Sequence, residues 1–313
     1  MTTTTANVTA PQAAPGGSRA SERREGWMRR GPLLPALVFA IIVTQLPFLA
    51  TLYYSTQSWN LVRPGSRQFV GLANYGAVFA DRTFREAALN SILITVGCVL
   101  VAMLLGIGLA LLLDRPFRGR GIVRTLLITP FLVMPVAGAL LWKTTMFDPI
   151  FGIVNFVLGP LGFGDFAWLT SSPLFSIVAA LVWQWTPFMM LLVLAGLQSQ
   201  SGEVLEAASV DGASRWQTFV SITLPHLRRY IELGVLLGAI YVVNTFDTIY
   251  MMAQGGPGTS SANLPFYLYQ RAFLGFDVGQ AAALGVVVVI GTIIVATAAL
   301  RLLFRSFNVE GQS

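Results

Sequence analysis

Long apolar runs separated by short polar segments dominate the chain. Six runs reach the roughly 20 mostly apolar residues that a helix needs to cross the hydrocarbon core of a bilayer: Leu33–Ser55, Ala88–Leu113, Gly121–Thr145, Leu174–Leu197, Ile231–Ala253 and Val278–Phe304. Strands of a membrane barrel would instead give alternating segments of roughly ten residues. The pattern predicts an all-α integral membrane protein with about six transmembrane helices, filling residues 32–305. Residues 1–31, rich in Thr, Ala, Pro, Gly and Arg, are expected as a disordered tail, and residues 306–313 as a short C-terminal one.

Composition sharpens this picture. Of the 313 residues, 55% are hydrophobic and only 11% charged, against roughly 25% charged in a soluble domain. The net charge of +6 is distributed by side rather than by face. Fourteen of the 20 basic residues lie before the first run, between runs two and three, between four and five, or at the end of the last. By the positive-inside rule that side is cytoplasmic, which places both termini in the cytoplasm. A nucleic-acid binder would gather basic residues on one folded face with aromatics between them, and no such face is legible.

The single cysteine, Cys98, falls within the second run and reads as a small packing residue without a disulfide. The first run is long and lacks a small-residue cleavage site, so it reads as an uncleaved anchor. Neither a G-x-x-x-x-G-K phosphate loop nor an H-E-x-x-H or G-x-S-x-G signature occurs. The only histidine, His226, cannot form a metal cluster alone and reads as a helix-end polar residue. Catalysis and bound metal are therefore not expected in this chain. Three segments face outward on this topology, 56–87, 146–173 and 254–277, and Trp59, Phe69, Tyr75 and Trp168 in them suit an interfacial belt.

One cytoplasmic connection stands apart. Residues 198–230 form a polar insertion too long for a turn. In it, Val204, Ala207, Ala208 and Val210 share an apolar side of a short helix, with Glu203, Glu206 and Ser209 on the polar side. Gly212 supplies a stop with positive φ. A second helical stretch runs from Ser214 to about Ile222, and Pro225 ends or bends it before the fifth run. Such a helix–Gly–helix hairpin makes a compact docking element for a partner.

The run Glu206-Ala207-Ala208-Ser209-Val210-Asp211-Gly212-Ala213, followed by Phe219, Ile222, Leu224 and Pro225, resembles the EAA loop of bacterial ABC importer permeases. The resemblance implies a type I ABC importer permease fold and a coupling helix seated in a cleft of an ATPase subunit. Glu206, Ala207, Ala208, Asp211, Gly212, Ile222, Leu224 and Pro225 are then the coupling residues. It also implies the partners: a second, distinct MalG-like permease subunit, two ATPase subunits that bind the ATP and Mg, and an extracytoplasmic solute-binding protein. Asn244–Tyr250 with Gly255-Gly256-Pro257-Gly258 is similar to the fifth core span of carbohydrate permeases of the maltose and glycerol-phosphate branch, on the MalF-like side of the pair. Asn263–Arg271 with Gly275–Gln280 looks most like sorbitol- and mannitol-type permeases.

Polar residues inside the membrane are costly and face the bundle interior or a cavity. Tyr241, Asn244, Thr245 and Thr248 fall at i, i+3, i+4 and i+7 of the fifth run, with Asp247 beside them. The fourth offers Trp183, Gln184, Trp185 and Phe188. Aromatic faces suit the C–H faces of a sugar or polyol, and amides and hydroxyls can satisfy its hydroxyl groups. Resemblance to the maltose permease places pocket positions at Gln184, Trp185, Phe188, Gly238, Tyr241 and Thr245. The substrate pathway is thus expected to include these with Asn244 and Asp247, unless Ser, Thr and Asn here only join helices. Importers of another sugar, of glycerol phosphate or of amino acids stay open, and so, more distantly, does an ion-coupled carrier with Asp247 as its ionisable group.

Overall fold

The computed structural model describes residues 33–63, 65 and 67–310. The expected tail over 1–31 lies outside them. The chain divides into two units, Met1–Thr51 and Leu52–Ser313. The first holds most of helix α1 (Leu33–Ser55), which is apolar all round and keeps Leu37, Phe39 and Leu46 more than half exposed. That is the surface of a helix whose solvent is lipid. Pro47 sits inside it, and the Thr51 hydroxyl donates to the Pro47 carbonyl at 3.0 Å.

The second unit is built on three helices: α3 (Arg82–Asp114), α7 (Pro173–Gln198) and α10 (Leu224–Val243). Helix α3 starts where Asp81 caps it, accepting from the Thr83 N–H at 2.8 Å, and Arg82 pairs with Glu86 one turn on. This is six residues earlier than the apolar run suggests, because the cap and the ion pair carry the helix into polar sequence. Ala102, Gly106 and Ala110 lie one turn apart on its buried face. A Cβ at Gly106 would stand 2.8 Å from Met189 Cβ and 2.9 Å from the Met190 nitrogen, so α3 and α7 meet nearly backbone to backbone. Met189, Met190, Val193 and Leu194 of α7 fill the seam, with Cys98 among the buried residues.

Helices α1 and α7 match the expected runs within a residue. Two other runs are not continuous. The third divides into α4 (Arg120–Leu132) and α5 (Pro135–Leu141), which continues through a π-turn, Trp142–Met146, and is bent by 100° from α4. Val133 and Met134 are extended there, at ψ 134° and 135°, the conformation that a following proline imposes on Met134. The fifth run divides into α10 and α11 (Asp247–Met252), with Asn244–Phe246 non-helical. Among the described residues three helices are unbroken, long and apolar enough to span a membrane, and the bent pair α4–α5 is apolar enough for a fourth when taken as one span. The last helix, α13, runs from Val278 to Glu310 and takes in much of the stretch expected as a tail.

On the side expected to face outward, Gln57–Ser58 and Gln68–Phe69 form a two-residue antiparallel ribbon. Asn74 donates to the carbonyls of Ser55 and Gln57 at 2.8 Å each. The Val278 N–H reaches the Trp59 carbonyl at 2.9 Å, which ties this segment to the start of α13. Trp168 is not a belt residue as expected. It is buried among Phe147, Phe163, Phe166 and Phe175, and its indole N–H donates to Asn155.

Candidate functional site

The two broken helices face one cavity. Helix α7 supplies its floor with Leu181, Gln184 and Trp185, and the α4–α5 break gives one wall with Phe131, Val133 and Pro135. The α10–α11 break gives the other with Tyr241, Asn244, Thr245, Phe246, Asp247 and Thr248. The space is about 360 Å³, within the roughly 300–1,000 Å³ of small-molecule sites. The far halves α5 and α11 pack on each other, and Lys143 donates to the Met251 carbonyl at 3.1 Å.

Breaking a helix frees backbone carbonyls that lipid cannot satisfy, so such breaks occur where protein or a cavity receives them. Each break here has an amide assigned to it. Gln184 donates to the Val133 carbonyl at 3.2 Å, and Asn263 to the Thr245 carbonyl at 2.6 Å. Asn263 is 1% exposed and also accepts from the Phe266 N–H, capping helix α12 (Leu264–Tyr269). Asn244 donates back to the Ile240 carbonyl at 2.7 Å and closes the end of α10.

Of the residues expected in the pathway, Gln184, Trp185, Tyr241, Asn244, Thr245 and Asp247 line this cavity. Trp185 and Tyr241 stack at 5.6 Å, and Phe131 meets Trp185 edge-on at 5.7 Å. Phe188 stands behind them, stacked on Phe131 at 5.5 Å, and supports the wall without lining it. Gly238 is a correction. It lies in the helix seam, where a Cβ would collide with the Met189 methyl and meet Val99, so its lack of a side chain serves packing. Tyr241, Asn244, Thr245 and Thr248 do not form the continuous helical face expected of them, because the break intervenes; they converge around the space instead. Sequence reasoning missed Phe131, Val133, Pro135, Leu181 and Phe246. The prolines at 130 and 135 inside one apolar run were the available signal for the first three.

At the opposite end of α10 the insertion folds as a hairpin. Helix α8 (Gly202–Val210) ends at Asp211, and Gly212 turns the chain at φ 77°. The Ala213 N–H then closes on the Ala208 carbonyl at 3.0 Å. Ser214 and Gln217 form a reciprocal capping box that starts helix α9 (Arg215–Thr218). Glu206, Ala207, Asp211 and Gly212 are exposed, Ala208 is buried and Ile222 half-buried. The expected apolar side is not a covered one. Only Ala208 and Leu205 turn inward, while Val204 is 48% and Val210 88% exposed, with Trp216 beyond the turn at 73%. Pro225 does not end the second helix either. A π-turn over Phe219–Thr223, in which the Leu224 N–H reaches back to the Phe219 carbonyl, accommodates it and joins α9 to α10 without a gap. Leu224 and Pro225 remain exposed on this joint. His226 and Tyr230 both bond the Ser199 hydroxyl, at 3.1 and 2.8 Å, fastening the base of the hairpin to the end of α7.

A family model described as the binding-protein-dependent transport system inner membrane component matches residues 102–309, which take in the cavity and the hairpin. The chain belongs to this family. The permease is 35% identical to a probable ABC transporter permease of Sinorhizobium fredii, over 97% of this chain and 99% of that one. It is 37% identical to the sulfoquinovosyl glycerol transport system permease SmoG of Agrobacterium fabrum, over 82% and 83% of the two chains. With the trehalose/maltose transport system permease MalF of Thermococcus litoralis it shares 34% identity over 80% and 85%. Its fold matches a chain of a bacterial ABC transporter involved in import of the acidic polysaccharide alginate, at TM-score 0.77 and 22% identity, over 91% of this chain and 98% of that chain. The fold is that of a type I ABC importer permease, and the chain is a membrane permease subunit, not an enzyme.

Proposed function

We propose that this permease forms half of the pathway of an importer for a sugar or polyol, and that the hairpin over 198–230 couples it to ATP hydrolysis elsewhere. The observation that carries this reading is one continuous element, α9 to α10, with an exposed docking tip at one end and a cavity-lining break at the other. A second, similar permease would close the open side of the cavity. Two ATPase subunits, holding ATP and Mg, would receive the hairpins from the cytoplasm, where both termini would also lie. An extracytoplasmic binding protein would deliver solute from the other side. In this arrangement Glu206 contacts the ATPase surface, and Val210 and Trp216 enter its cleft.

The carbohydrate assignment is supported by a cavity in which stacked rings stand beside amide, hydroxyl and carboxylate groups. It is also supported by the sugar-linked names of the Agrobacterium and Thermococcus relatives. The finer reading, a sorbitol- or mannitol-like polyol, rests on the likeness of residues 263–280 to permeases of that type. Solute-stimulated ATPase activity of the reconstituted complex tests both levels, with sorbitol, mannitol, trehalose, maltose and amino acids as the panel. Stimulation by sorbitol or mannitol supports the polyol reading; stimulation by trehalose or maltose alone keeps the carbohydrate reading and removes the polyol. Stimulation by amino acids alone would overturn both. A Gly212→Val variant, strained at φ 77°, is expected to insert normally yet lose ATPase association, and an active complex carrying it would refute the role given to the hairpin.

A further inference from the structure

The cavity does not end in a blank wall. Phe246, which lines it, stacks on Tyr250 at 5.3 Å and contacts Tyr269 at 5.2 Å. Tyr250 meets Tyr269 edge-on at 5.4 Å, and Tyr269 stacks on Phe273 at 5.5 Å. Four rings thus form an unbroken column. Its depth can be read from the neighbouring helix α3. At the Phe246 end, Asn263 holds Thr245 while the Leu264 N–H donates to Ser91 at 2.9 Å. At the Phe273 end, Tyr267 and Arg271 both bond Asp81, the cap of α3. Ser91 lies ten residues inside Asp81, or roughly 15 Å along a helix axis. The column therefore climbs from cavity depth to the end of α3.

Burial separates these rings from ordinary core. Phe266, which touches the same rings, is 3% exposed. Phe246, Tyr250 and Tyr269 are only half-buried, and Phe273 is 64% exposed. Phe276 stands exposed close beyond, on a loop held by the Leu61 N–H. Phe246, Tyr250 and Tyr269 thus back onto the core on one side and stay open on the other, and the run ends in a bare ring.

The geometry points to a solute-binding track: Phe273, Tyr269, Tyr250 and Phe246 pass a carbohydrate from the extracytoplasmic mouth down to the cavity by successive contact of sugar C–H faces with aromatic rings. The proposal rests on the carbohydrate reading and on the cytoplasmic placement of the termini. Ring faces hold the apolar side of a sugar and leave its hydroxyl groups in water, so each contact is weak and the sugar moves on to the next ring. Phe273 receives it, and Phe246 yields it to Trp185, Tyr241 and the polar groups of the cavity.

The test uses the whole complex in proteoliposomes, with its partner permease, ATPase and delivery protein, and labelled trehalose, maltose, sorbitol and mannitol as probes. For whichever probe the wild type imports, Phe273→Ala is expected to raise the half-saturating concentration of loaded delivery protein roughly tenfold. The maximal rate should stay within roughly twofold. Tyr269→Ala should act in the same direction, and Phe273→Trp should restore the wild-type value. Unchanged half-saturation in Phe273→Ala, or a loss confined to the maximal rate, would overturn the track while leaving the importer reading intact. Failure of the wild type to import any of the four would overturn the carbohydrate reading and the track together.

Discussion

The α3–α7–α10 core and the two broken walls of the cavity are both made from apolar runs, yet they treat the backbone in different ways. In the core the helices run without a break, even past Pro187 in α7, and the small residues Ala102, Gly106 and Ala110 let α3 lie against Met189 and Met190. In the walls the helices stop, and amides from elsewhere, half-buried Gln184 and buried Asn263, complete what the backbone leaves open. Regularity gives close packing, whereas interruption gives a place for a polar solute, provided each freed carbonyl has a partner. The cavity is thus held open by hydrogen bonds rather than by bulk.

This contrast can be broken most severely in the core. Gly106→Val would force side-chain atoms into the Met190 backbone and is expected to destabilise the complex by about 3 kcal/mol, read as a large fall in the thermal midpoint of the detergent-purified complex. A midpoint near that of wild type would show that the seam is loose. Asn263→Ala removes a buried amide that serves both Thr245 and the start of α12, with an expected cost of about 2 kcal/mol. Gln184→Ala removes the equivalent bond to Val133, but at a half-buried position beside the cavity. Water can take its place, so about 1 kcal/mol is expected. If Gln184→Ala proved costlier than Asn263→Ala, the ranking of the two walls would be inverted.

The smallest expected effect is none at all. Burial alone would push the Asp81 carboxyl up, but the Tyr267 hydroxyl, the Thr83 N–H and Arg271 together hold it below the ordinary carboxylate range. Burial and the neighbouring Asp81 push the Tyr267 phenol up to about 12. A lowered carboxyl contributes stability that is complete above its unfolded value and lost only as pH falls through the folded one. A raised phenol contributes in full below its ordinary value of 10.0 and loses that contribution as pH climbs from there through about 12. The clasp between α3 and α12 is therefore expected to be flat from about pH 5 to 9. The stability difference between wild type and Asp81→Asn, about 1 kcal/mol, should not change across that range. A difference that shrinks near about pH 6 would contradict this assignment.

What the sequence disclosed follows the same division. Helices α1 and α7 were legible to within a residue because their apolar runs continue as one helix each, through Pro47 and Pro187, and no break divides them. The hairpin was legible through Gly212 and the spacing around it. The α4–α5 break was written in Pro130 and Pro135 but hidden by apolar residues on both sides. The α10–α11 break has no such local mark, since Asn244, Thr245 and Phe246 include neither Pro nor Gly. The amide that meets its freed carbonyl belongs to Asn263, 18 residues further on. The resemblance that put Gly238 in the pocket could not see that Met189 occupies the room its missing side chain leaves. Six cavity residues were nonetheless found in advance, because polar side chains in an apolar run have few other places to go.

The π-turn at Phe219–Thr223 has a mechanical meaning. It fuses the hairpin to α10 with no loop between them, so the 20 residues from Leu224 to Val243 form a stiff rod about 30 Å long. A rod amplifies: a tilt of about 10° at the hairpin end would carry Asn244, at the lip of the cavity, sideways by roughly 5 Å. With no slack at the joint, little of a push on the hairpin would be absorbed before it reached the cavity.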